Sequence, residues 1–155
     1  MPNANLLRAR AFLACRRIAL VGASRDAKDF SRSVMNALVA RGYDVLPVNP
    51  AGGEIADRVA FATVGEIVPA PEAALFMTPS SRTADAVADC LRAGVRKLWF
   101  HRGGGTGAVS PEALARCRAD GVEPVTDLCP FMVLSDVGWF HRAHAYFRAR
   151  QRRSA

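Results

Sequence analysis

A chain of 155 residues, half of them apolar and 23% charged, is long enough for one core without disulfide or metal staples and too apolar for general disorder. No apolar run approaches the roughly 20 residues that span a bilayer; Arg8, Arg10, Arg16 and Arg17 also interrupt any would-be secretory leader, so the expected compartment is the cytoplasm, without a membrane. The net charge of +7 sits at the two ends, because residues 18–140 hold 12 Lys and Arg against all 14 Asp and Glu, which disfavours a basic nucleic-acid-binding stripe over the body.

Taken in order, residues 5–16 read as a short helix with Asn5 as its cap and Leu6, Leu7, Phe12 and Leu13 on its apolar side. Ile18–Val21 is a strand apolar on both faces, and it stops in Gly22-Ala23-Ser24. Ser31 is the expected N-cap of a helix over Arg32–Arg41, which Gly42 ends. Tyr43–Val48 is the second strand, ended by Pro47, Asn49 and Pro50; Val59–Phe61 is a short third one, and Thr63 caps a brief helix at 64–68. After Pro69 and Pro71 come the strand Ala73–Met77 and a helix introduced by Pro79, Ser80 and Ser81 and closed at Gly94, with Ser80 or Ser81 as its cap. Lys97–Phe100 is the next strand, 101–109 a glycine-rich loop, Ser110-Pro111-Glu112 a helix start, and Glu123–Thr126 the last core strand. Trp139, Phe140, Ala143 and Phe147 give the chain a final amphipathic helix.

Short apolar strands alternating with helices imply an α/β fold, a doubly wound, Rossmann-like, mostly parallel sheet with helices on both faces. The expected organisation is an N-terminal helix at 1–17, a Rossmann-like domain at 18–131, and a C-terminal helix with a basic tail at 132–155. In such folds the ligand sits beyond the carboxyl ends of the strands. The candidate positions are therefore 22–25, 48–50, 77–82, 101–105 and 127–131. Strand, glycine turn and helix N-terminus together make an anion cradle, which points to a nucleotide-type ligand.

Two features disfavour ordinary NAD binding. Gly22-Ala23-Ser24-Arg25-Asp26-Ala27 holds only the first glycine of G-x-G-x-x-G, and the second strand ends in Pro47-Val48-Asn49-Pro50, with no carboxylate for the ribose hydroxyls. Asp44 lies at the wrong end of that strand, and there is no P-loop. Val21-Gly22-Ala23-Ser24, the stretch Gly42–Pro50, Thr78-Pro79-Ser80, Leu98-Trp99-Phe100 and Asp127-Leu128-Cys129-Pro130 together resemble the single-domain CoA-binding proteins, over about residues 16–131. These in turn resemble the CoA-binding Rossmann domain of the succinyl-CoA synthetase alpha subunit and related acyl-CoA ligases.

The resemblance implies that coenzyme A, free or acylated, is the ligand. Gly22, Ala23 and Ser24 would hold its pyrophosphate through backbone N–H groups and the Ser24 hydroxyl, and Arg25, Lys28 or Arg32 would neutralise phosphate charge. Val48, Asn49 and Pro50 would lie near the ribose or adenine, with Thr78, Pro79 and Ser80 on the other side and Arg82 nearby. A plain turn at Asn49-Pro50 and a helix-capping role for Ser80 are the structural alternatives. The family carries a Gln-Gly-like step after the Trp-containing strand, where this chain has His101-Arg102-Gly103-Gly104-Gly105. His101 is read as a polar residue at the pocket rim rather than a general base.

No Ser-His-Asp set, carboxylate pair or metal cluster is evident. The related ligases use further domains for phosphoryl transfer, one with a phosphorylated histidine, which a chain of 155 residues is not expected to hold. The expectation is a binding protein without catalysis, monomeric or homodimeric. Cys15, Cys90, Cys117 and Cys129 lack metal or disulfide spacing and are expected to be free thiols. Cys129, after the last strand, has two readings: a buried, inert cysteine, which is the commoner case, or a reactive thiol able to form a mixed disulfide with CoA. The alternatives are an NADP-dependent oxidoreductase with Arg25 or Lys28 on the 2′-phosphate, and partner or nucleic-acid binding through the Arg-rich tail His141–Arg153.

Overall fold

The computed structural model describes residues 3–102 and 107–134. Helix α1 (Ala4–Leu13) buries Ala9, Phe12 and Leu13, which share one face by their spacing. Then follow β1 (Arg17–Val21), α2 (Phe30–Ala40) and β2 (Asp44–Val48). A small antiparallel pair, β3 (Glu54–Ile55) and β4 (Arg58–Val59), precedes a 3-10 turn at Val64–Glu66. The order continues with β5 (Ala73–Phe76), α3 (Ser80–Arg92), β6 (Lys97–Phe100) and α4 (Pro111–Ala119). Residues 130–134 are helical again.

Strands β2, β1, β5 and β6 form one parallel sheet in that spatial order. The fold is the expected doubly wound, Rossmann-like α/β arrangement. The chain leaves β1 toward β2 on one side and later returns to β5 on the other. The topological switch point, where doubly wound folds open a crevice, therefore lies between β1 and β5.

Alternation along the strands divides the interior in two. Ile18, Leu20, Leu75 and Trp99 point to the face covered by α1 and α2. Ala19, Val21, Phe76, Leu98 and Phe100 point to the face that carries the buried residues of α3 and α4. Every residue of β5 is buried, as a central strand covered on both sides requires.

Several boundaries differ from the sequence expectation. Asn3, not Asn5, caps α1, by accepting the Asn5 N–H at 3.0 Å. Asp29, not Ser31, caps α2: its carboxylate accepts the Ser31 N–H at 2.8 Å, and Ser31 lies buried inside the helix. Pro79 occupies the cap position of α3 and no side chain caps it, so Ser80 is simply the first helical residue. Ser110 caps α4 as expected, with its hydroxyl accepting the Ala113 N–H.

Thr63 makes no capping hydrogen bond, and a 3-10 turn stands where a helix at 64–68 was expected. Phe61 forms a single bridge with Val48 instead of belonging to a strand. Glu123–Thr126 likewise reduces to one parallel bridge between Val125 and Trp99. Pro124 has no N–H to donate, and both backbone polar groups of Thr126 are taken by the Asn5 side chain, which closes α1 onto this edge. The final helix around Trp139 and the arginine tail lie outside the described residues.

Candidate functional site

Two cavities open at the carboxyl ends of the strands. The first, of about 800 Å³, is bounded by Val21–Ser24 after β1, Val48–Ala51 after β2, Thr78 and Pro79 after β5, and one face of α3. The second, of about 680 Å³, lies on the α2 side of β5 and includes Phe30, Ser31, Met77, His101, Arg102 and Cys129. Thr78 lines both, so both border the end of β5. Volumes of this order suit a ligand larger than a metabolite of a few atoms.

The turn after β1 is held from within. The N–H groups of Gly22 and Ala23 both donate to the Val48 carbonyl, at 3.0 and 3.2 Å, and the Ser24 N–H donates to the buried Ser31 hydroxyl at 3.0 Å. These three donors, expected to face a phosphate, are engaged inside the protein. The Ser24 hydroxyl accepts the Asp26 N–H at 3.1 Å and still borders the first cavity. Gly22 has φ +90°, and a Cβ there would lie 2.8–2.9 Å from the backbone of Met77 and Thr78. Its glycine is thus required by close packing of the β1 turn on the end of β5.

Asn49 ties the neighbouring turn to this one. Its side-chain amide donates to the Ala23 carbonyl at 2.9 Å, and its oxygen accepts the Ala51 N–H at 2.9 Å. Asn49 and Pro50 line the cavity, so the asparagine has a bracing role whatever it contacts in a ligand.

The proposed cations divide. Arg25 reaches across to donate to the Gly52 carbonyl, Arg32 donates to the Arg25 carbonyl at 3.0 Å, and Lys28 is exposed; none of the three borders the first cavity. Arg82 does border it, together with Asp85, Ala86, Asp89 and Arg92. Steps of three and four residues put these five on one face of α3. Asp89 is engaged in accepting the Val64 N–H at 2.7 Å. The guanidinium groups of Arg82 and Arg92 make no hydrogen bond or ion pair with the described residues. Arg92 was missed in the sequence, although its spacing from Arg82 marks the shared face. Ser80 borders neither cavity.

His101 is buried rather than at a rim, and it belongs to the second cavity. Its ring lies 5.1 Å from that of Phe30, and its Nδ1 has no hydrogen-bond partner among the described residues. Burial pushes the imidazole below its ordinary value. Gly103, Gly104 and Gly105, expected beside it, lie outside the described residues.

A family model described as a CoA binding domain matches residues 16–135. The chain belongs to the CoA-binding domain family. Among solved structures, this CoA-binding-family chain is similar to a hypothetical protein of Pyrococcus horikoshii OT3, with 25% identity, a TM-score of 0.78, and coverage of 88% of this chain and 96% of that one. It is also similar to a conserved hypothetical protein of Pyrococcus furiosus, at 30% identity over 77% of this chain and 98% of that one, with a TM-score of 0.68. A dinucleotide-forming acetyl-coenzyme A synthetase of Ca. Korarchaeum cryptofilum shares the fold at 24% identity and a TM-score of 0.61, over 70% of this chain and 25% of the synthetase. No helix among the described residues is long and apolar enough to cross a membrane.

Proposed function

We propose that the chain binds coenzyme A or an acyl-CoA in the first cavity and performs no reaction of its own on it. The observation that carries this reading is the pair of guanidinium groups, Arg82 and Arg92, without partners among the described residues, on the wall of a cavity at the strand ends of a CoA-binding-family fold. Unpaired guanidinium groups on a cavity wall favour phosphate, which they bind through charge-assisted hydrogen bonds. The residues present fit a nucleotide carrying several phosphates: a hydroxyl at Ser24, two cations on α3, and apolar surface from Val21, Val48 and Pro50 for a base. The cavity wall supplies no carboxylate after β2 to favour unphosphorylated ribose hydroxyls.

Calorimetric titration with CoA, acetyl-CoA, NAD and NADP tests this. Heat is expected from the first two and little from the others. The R82A/R92A double variant is expected to weaken CoA affinity by about tenfold or more, since each tenfold corresponds to about 1.4 kcal/mol, within reach of one lost charge-assisted contact. Binding of NADP without CoA would replace the reading with the oxidoreductase alternative. Release of free thiol from acetyl-CoA by the protein would overturn the absence of catalysis.

A further inference from the structure

The first cavity leaves the second unexplained. In the second, two groups face the same space: a part-exposed thiol, Cys129, and the 8% exposed His101, whose Nδ1 lacks a partner among the described residues. A buried polar atom without a partner is costly, and a ligand's amide or hydroxyl removes that cost. The half-exposed Phe30 ring stacks near His101 and meets Phe131 at 5.7 Å, which gives the opening an apolar side. The loop bearing Cys129 is fixed in place: the Trp99 indole donates to the Leu128 carbonyl at 2.9 Å, and Arg102 pairs with Asp127. The other thiols are closed off. Cys15, Cys90 and Cys117 are buried, and burial pushes each thiol up, that of Cys117 to about 11.

A ligand with a nucleotide in the first cavity and a flexible amide-containing arm ending in sulfur can pass Thr78 and bring that sulfur to the second. We propose that Cys129 exchanges with the symmetrical disulfide of CoA and becomes joined to one CoA by a mixed disulfide. This rests on the CoA reading above. In the exchange the Cys129 sulfur attacks one sulfur of the CoA disulfide. The original S–S bond breaks, a new S–S bond forms between Cys129 and one CoA, and the other CoA leaves as thiolate. The proton lost by Cys129 reaches that thiolate through solvent. One disulfide replaces another, so no further oxidant is required.

The experiment incubates the reduced full-length protein with CoA disulfide and, separately, with glutathione disulfide at the same concentration. Intact mass follows the reaction and peptide mapping locates it, while calorimetry measures reduced CoA on the same preparation. The expected result is one CoA per chain, on Cys129, formed about tenfold faster than the glutathione adduct because noncovalent binding raises the local concentration. C129S forms no covalent CoA adduct, and dithiothreitol releases the adduct from the wild type. Binding of reduced CoA together with an adduct no faster than glutathione's, or one on Cys15, Cys90 or Cys117, overturns the inference and leaves the CoA reading standing. Absence of both binding and adduct overturns both.

Discussion

Gly22 brings the β1 turn against the end of β5. A methyl group there would meet backbone atoms of Met77 and Thr78 that cannot rotate away, at a φ of +90° that L residues avoid. G22A is expected to lower stability by roughly 2–4 kcal/mol, read as a fall in the urea midpoint at constant slope. His101 supplies a pH-dependent counterpart. Burial holds its folded-state value below the ordinary 6.5, so the unfolded chain binds the proton more readily. Its contribution is complete above the unfolded value and is lost as pH falls through it toward the folded value. The wild-type urea midpoint should therefore fall between about pH 7.5 and 5.5, and H101Q should flatten that fall. A steep dependence retained in H101Q would mean that another group titrates there. The sequence marks both residues by type, but at both the physical role comes from distant neighbours: Met77 and Thr78 for Gly22, and Phe30 for His101.

Helix α2 shows how an element organises the site. Asp29 ends the loop by accepting the Ser31 N–H, and this places the Ser31 hydroxyl where it accepts the Ser24 N–H. One buried serine thus links a helix start to the β1 turn. S31A would leave a part-buried N–H without its partner, and a loss of about 1–3 kcal/mol is expected from thermal or urea unfolding. D29A should cost less, about 1 kcal/mol, as an ordinary lost cap. A capping preference read along the chain cannot choose between Asp29 and Ser31, because both residue types cap well; the tertiary contact to Ser24 decides. Helix α3 is the converse case. The spacing that gathers Arg82, Asp85, Asp89 and Arg92 is written in the sequence, but the loops after β1 and β2 determine that this face borders a cavity.

At the scale of the whole molecule, the sheet separates two apolar layers and its strand order sets the cavities on either side of β5. Helix α1 closes one layer. Phe12 meets the Trp99 ring edge-on at 5.3 Å, and the Asn5 side chain bridges to Thr126. F12A is expected to cost about 3–5 kcal/mol as a large buried ring is removed. Such a loss is a large fraction of the stability of an ordinary domain, and equilibrium unfolding would reveal it directly. A cost below about 1 kcal/mol would show that α1 docks loosely.

Local sequence determined the alternation of apolar strands with helices, hence the doubly wound class, and the turns after β1, β2 and β5 where the first cavity forms. Those features follow from side-chain periodicity and from Gly and Pro punctuation, which act over a few residues. Tertiary structure decided which donors are engaged, which cations face the cavity, and that His101 belongs to a second space with Cys129. Such facts depend on contacts between residues far apart in the chain. Asn49 against Ala23, Ser31 against Ser24 and Asn5 against Thr126 are set by how the strands are ordered, and no local pattern encodes that order.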